Sequence, residues 1–109
     1  MYKISYCNQM SIVQGDTATF TIEVDNYIFS EGDKAYFTVR KDTKESPIAI
    51  QKIITEFDEH HFTVCLDKKA TNIPVGDYLY DIQLNLADGR VDTIILPTKF
   101  SVLGGVTLD

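Results

Sequence analysis

The stretch Thr17-Ala18-Thr19-Phe20-Thr21-Ile22-Glu23-Val24-Asp25 decides the fold class. Thr, Glu and Asp occupy its odd positions and Ala, Phe, Ile and Val its even ones, a strict period of two. Successive side chains of an extended chain point to opposite faces, so this stretch reads as a strand with one face in a core and the other in water. The alternation recurs in Lys34–Lys41, where Ala35, Phe37 and Val39 oppose Lys34, Thr38 and Arg40. In His60–Leu66, Phe62, Val64 and Leu66 oppose His61, Thr63 and Cys65. In Tyr78–Leu86, Tyr78, Tyr80, Ile82, Leu84 and Leu86 oppose Asp81, Gln83 and Asn85.

Weaker signals fill the gaps. Ile12-Val13 ends an opening strand, and Ile48, Ile50 and Ile53 mark a short strand after Pro47, a residue suited to a strand start or an edge. Asp88-Gly89 within Ala87–Arg90 is a hairpin signal, because both central positions tolerate positive φ. The strand after it, Val91–Leu96, is apolar on both faces toward its end, is interrupted at Pro97 and resumes over Lys99–Leu103. Only Asp67–Thr71 suggests a helical turn. β-Branched and aromatic residues outnumber Ala and Leu, a bias that suits a pleated, half-buried surface. With turn signals at Gly15-Asp16, Gly32-Asp33, Ser46-Pro47 and Gly76-Asp77, the pattern predicts an all-β antiparallel sandwich of seven to eight strands with Greek-key connections. Phe20, Ile22, Phe37, Val39, Phe62, Val64, Tyr80, Ile82 and Leu84 are its expected core.

Thr71-Asn72-Ile73-Pro74-Val75-Gly76-Asp77-Tyr78 is a crossing loop that ends in a tyrosine at the start of the penultimate strand. That tyrosine either folds over the corner and hydrogen-bonds backbone upstream, as in immunoglobulin-like sandwiches, or is a plain core aromatic. The chain has no Trp, and Cys7 and Cys65 fall outside the strands that an antibody-type disulfide would join. The expectation is an immunoglobulin-like sandwich without a disulfide, held by packing alone.

At 109 residues and 12.3 kDa the chain has room for one domain, 1–109, with 1–9 as an N-terminal arm or an extra strand. Its 44% hydrophobic and 24% charged residues are those of an ordinary soluble globular protein. A net charge of −6 removes the electropositive footprint that nucleic-acid binding needs. No apolar run is long enough for a membrane helix, and Met1–Tyr6 lacks the pattern of a signal peptide, so a cytoplasmic site of synthesis is expected.

Reactive chemistry is sparse. Two cysteines allow at most one disulfide and stand at no metal-ligand spacing, so two free thiols are expected. His60 and His61 are adjacent, which in a strand sends their side chains to opposite faces and prevents a shared ligand site. No serine stands in a nucleophile elbow and no glycine cluster forms a phosphate loop. The expectation is a non-enzyme without cofactor or metal. Asp16, Glu31, Asp33, Glu56, Asp58, Glu59 and Asp88 crowd the turns but lack Ca²⁺-loop spacing, and read as a solvated rim.

Ile12–Thr17 leading into an alternating strand, then Ala35–Lys41, Thr71–Leu84, Asp88-Gly89 and a closing strand ending in Phe100-Ser101-Val102 together resemble the small immunoglobulin-like modules of tailed bacteriophages and prophages of Gram-positive bacteria. The chain is similar in particular to the N-terminal domain of upper baseplate proteins, over residues 10–107. The resemblance implies a virion component (baseplate, tail, neck or head-decoration) that assembles by contact with other virion proteins and with itself, and that carries no catalytic or cofactor residues.

Two site readings accompany it. Tyr2, Ile4 and Tyr6 alternate with Lys3, Ser5 and Cys7, so the N-terminal segment either extends the first strand or acts as an assembly arm that adds a strand to a neighbouring copy. Alternatively the domain is a carbohydrate- or surface-binding module, for which Tyr27, Phe29 and Tyr36 are the aromatic candidates.

Overall fold

The computed structural model describes residues 2–4, 8–42 and 45–106, with side chains for all but the first three. The strands are β1 (Tyr2–Ile4), β2 (Met10–Val13), β3 (Ala18–Glu23), β4 (Lys34–Arg40), β5 (Ile48–Ile54), β6 (His61–Leu66), β7 (Gly76–Asn85) and β8 (Val91–Leu103). They form two layers: a six-stranded sheet in the order β1-β2-β8-β7-β4-β5, and a two-stranded sheet of β3 and β6. The protein is therefore an all-β sandwich. Asp67–Thr71 forms a turn, in which the Thr71 N–H donates to the Asp67 carbonyl at 3.2 Å.

The alternation places the core as expected. Phe20, Phe37, Val39, Phe62, Val64, Tyr80, Ile82 and Leu84 are buried, and Ile22 packs half-buried at their margin. Phe37 sits at the centre, its ring 5.6 Å from Phe20 in the opposite layer and 5.5 Å and 6.2 Å from Tyr80 and Phe100 in its own. Strands β2 and β8 add Met10, Ile12, Phe100 and Val102 to this core.

Two sequence expectations need correction. The sheet is not purely antiparallel: β2 runs parallel to β8, with Met10 opposite Phe100 and Val13 opposite Leu103. Parallel neighbours need a long crossover, and here the whole domain from β3 to β7 supplies it. Second, Pro97 does not interrupt the last strand. β8 passes through it because Tyr80 pairs with Thr98 and Ile82 with Ile95, leaving Leu96 and Pro97 together opposite Asp81. In that bulge the missing N–H of proline costs no ladder hydrogen bond. Ile53 belongs to β5, the strand expected after Pro47. It lies opposite Tyr36 on the outer face and is 52% exposed. A register slip at Val39/Arg40 pairs Ile48 with Arg40 and turns it outward too, so Ile50 alone of the three is buried.

Truncating Phe37 removes the ring that both layers share. Phe37→Ala should lower the unfolding free energy by about 3–5 kcal/mol, whereas Ile53→Ala should change it by less than about 0.5 kcal/mol. Urea unfolding followed by far-UV circular dichroism reads both, and equal losses would place the core elsewhere.

Candidate functional site

Positions that alternate with the core on β4, β5, β7 and β8 form the outer face of the six-stranded sheet. Across the strands run Ile53, Tyr36, Gln83 and Thr93 in one row, and Gln51, Thr38, Asp81 and the Leu96-Pro97 bulge in the next. Leu96 is 72% exposed, the consequence of a bulge that places two residues opposite one and sends both away from the core. Beside it lies a shallow groove of about 380 Å³ lined by Thr38, Arg40, Asp42, Leu79, Asp81 and Pro97. Gln51 donates to Thr38 Oγ1 at 3.2 Å, and Arg40 donates from Nη1 to the Ser46 carbonyl at 2.6 Å, which fixes the guanidinium at the rim. Burial raises the Asp81 carboxyl above its ordinary range, and the positive Arg40 opposes that rise. The outward charges on β4, β7 and β8 are Lys34, Arg40, Lys99, Asp77 and Asp81, so in an acidic chain this face is close to neutral.

A second depression, about 560 Å³, lies along the seam between the open edges of β5 and β6, with Lys52, Ile54, Phe57, His61, Thr63 and Cys65 around it. Cys65 is exposed and unpaired there, and Cys7 lies outside the described residues. His61 faces Glu23 across the small sheet, while His60 Nδ1 lies 2.7 Å from the Tyr27 carbonyl. The two histidines serve different contacts.

The aromatic candidates do not converge. Tyr27 and Phe29 pack edge to face at 5.2 Å, Phe29 stacks on Phe57 at 4.2 Å, and all three sit against the core margin. Tyr36 stands apart on the outer face. Of the segment Tyr2, Ile4 and Tyr6, the backbones of Tyr2 and Ile4 lie in β1, which runs antiparallel to β2 of the same chain with Tyr2 opposite Ile12 and Ile4 opposite Met10. Tyr6 lies outside the described residues.

Tyr78 has the geometry of a corner residue: its ring is buried and its hydroxyl donates to the Pro74 carbonyl at 2.6 Å. Lys41 Nζ lies 4.7 Å from the ring centroid on its exposed side. Gly76 keeps that path open, since a Cβ there would stand 2.6 Å from Lys41 Nζ.

Polar staples that the sequence did not announce close the ends of the sandwich. Asp33, read from sequence as part of a solvated rim, is 1% exposed. Its Oδ2 accepts from the Tyr27 hydroxyl at 2.7 Å and the Ser30 N–H at 2.9 Å, and its Oδ1 accepts from the Ala87 N–H at 2.8 Å. It thus ties the β3–β4 loop to the β7–β8 turn. Thr71 is fully buried and donates to the Asp16 carbonyl at 2.7 Å, tying two turns at the opposite end. Gly32-Asp33 and Thr71 were visible as a turn and a loop start, but only long-range packing makes them staples. Tyr80 donates from its hydroxyl to the Asn8 carbonyl, two residues before β2. Among the described residues no three His, Cys, Asp or Glu side chains gather as a metal-ligand set, and no helix is long and apolar enough to cross a membrane.

No family model and no curated protein matches the chain.

Two titrations report on the staples. Burial pushes the Asp33 carboxyl up, but the hydrogen bonds from Tyr27, Ser30 and Ala87 outweigh it and hold the pKa below the ordinary 3.8. A carboxyl with a lowered folded pKa contributes stability that is present above its unfolded pKa and lost as pH falls through the folded one. Melting temperature should therefore fall below about pH 3.8, and Asp33→Asn should flatten that acid limb while lowering stability at pH 7 by about 1–3 kcal/mol. Desolvation raises Tyr80 from 10.0 to about 12. Its contribution is complete below pH 10.0 and disappears as pH climbs toward about 12, so Tyr80→Phe should reduce the alkaline loss of stability. An unchanged acid limb in Asp33→Asn would show that the carboxylate is not the group that titrates.

Proposed function

We propose that this protein is a non-enzymatic, immunoglobulin-like interaction module that acts by protein–protein assembly within a phage or prophage virion, as part of a baseplate, tail, neck or head decoration. The observation that carries the assembly role is the outer face of the six-stranded sheet: Leu96 at 72% and Ile53 at 52% exposure, with Tyr36, Leu79 and Pro97 between them, on a near-neutral field in a chain of net charge −6. Exposed apolar groups gathered on one sheet face fit a surface made to be covered by protein.

The immunoglobulin-like reading is supported by the pairing of β3 with β6 in one layer against β4, β7 and β8 in the other, and by the Tyr78 hydroxyl bonded four residues upstream at Pro74. The virion setting rests on the resemblance of residues 10–107 to phage modules. Tyr27 and Phe29 pack together while Tyr36 stands on β4, so these three residues lend the carbohydrate-binding reading no support.

Virions purified by density gradient from the lysed strain that carries the gene should contain this protein at a constant ratio to the major tail or capsid proteins after high-salt washing. Its presence in the soluble lysate and absence from washed particles would refute the virion assignment.

A further inference from the structure

The groove on the outer face is not electrically even. Thr38, Arg40, Asp42, Leu79, Asp81 and Pro97 line it, so two carboxylates stand there against one guanidinium. That guanidinium is already engaged, because Arg40 Nη1 donates to the Ser46 carbonyl at 2.6 Å. Lys99, which pairs in register with Leu79, is held as well, its Nζ 3.8 Å from the Asp77 carboxylate. The Asp81 carboxylate has no such companion. Among the described residues no hydrogen bond or ion pair reaches it, and only the field of Arg40 acts on it.

A half-buried carboxylate that has lost part of its water and gained no donor is stabilised by an incoming cation. The layout of the groove says which kind. Asp81 lies opposite Thr38 across β7 and β4, and Asp42 stands two residues beyond the end of β4, so the acceptor oxygens are spread over separate points. The three rotatable donors of an ammonium suit such a set, whereas a guanidinium favours one carboxylate met as a planar fork. Leu79 and Pro97 add apolar wall, which matches a methylene stem that buries along hydrocarbon while its charged head reaches polar atoms. Copies of a chain with net charge −6 repel one another, which favours a different protein as the source of that cation.

We infer that the groove receives a lysine side chain from a basic surface of another protein, its stem along Leu79 and Pro97 and its ammonium on Asp81, with Asp42 and Thr38 as further acceptors. The inference rests on the reading of the outer face as a protein-covered surface, not on the virion setting, and it names the chemistry of what covers that face.

Amide NMR of the isotope-labelled full chain, titrated with Nα-acetyl-lysine methylamide, tests it. A single side chain binds weakly, so the titration runs to about 50 mM at constant low ionic strength. Saturable shifts should gather on Thr38, Arg40, Leu79 and Asp81. The counterpart acetylated at Nε as well keeps the stem without the charge and should leave these amides unmoved. Asp81→Asn should weaken binding about threefold or more, and Asp88→Asn, which removes the same charge from an exposed turn, should leave it unchanged. The absence of saturable shifts in the groove, equal shifts from the neutral counterpart, shifts that gather on the acidic turns instead, or Asp81→Asn binding no more weakly than Asp88→Asn overturns the inference. On washed virions, carbodiimide coupling condenses a carboxylate with an amine in contact with it, losing water to form an amide. The cross-link should join Asp81 or Asp42 to a lysine of another protein, and cross-links confined to the acidic turns overturn the inference. A chain absent from virions that still binds the lysine probe in the groove refutes the virion assignment alone, and a chain present on virions whose groove ignores the probe refutes this inference alone.

Discussion

The packing of Phe37 between the layers is the contact on which the rest of the molecule depends. The second layer has only two strands, β3 and β6, and a lone two-stranded ribbon is marginal in water. Its persistence comes from laying Phe20, Phe62, Val64 and Leu66 onto the larger sheet, where Phe37, Tyr80 and Phe100 form the facing floor. Phe37 belongs to the central β4 and touches Phe20 edge to face, an arrangement that aromatic quadrupoles favour beyond simple burial.

A core of this kind closes the middle of a sandwich but not its ends, where loops bring backbone polar groups out of water. Here single side chains do that work. The Asp33 carboxylate receives three donors from two loops, the Thr71 hydroxyl reaches the β2–β3 turn, and the Tyr78 hydroxyl caps the crossing loop. Each of these buried side chains thereby finds a partner for its own polar atom, which left unpaired would cost more than the bond itself returns.

The outer face follows from the same constraint. With one side of the six-stranded sheet covered by only two strands and the other side by none, the outward residues of β4, β5, β7 and β8 remain accessible among the described residues. This face carries exposed leucine and isoleucine, and its mixed charges distinguish it from the acidic turns.

By itself the sequence determined the strand content, the inward set of β3, β4, β6 and β7, and the turn chemistry, because side-chain alternation and positive-φ glycines are local properties of an extended chain. It also marked Tyr78 as a corner candidate, through a motif only eight residues long. Tertiary structure alone decided the rest. The parallel partnership of β2 with β8 joins residues about ninety positions apart, which no local pattern encodes. The outward turn of Ile48 and Ile53 depends on registers with β4, and the projection of Leu96 on a bulge defined by β7. Asp33 looks like any acidic turn residue until the β7–β8 turn arrives with the Ala87 N–H, fifty-four positions away. Which acid is solvated and which is a staple is therefore a matter of packing, since burial and hydrogen-bond partners exist only once distant segments meet.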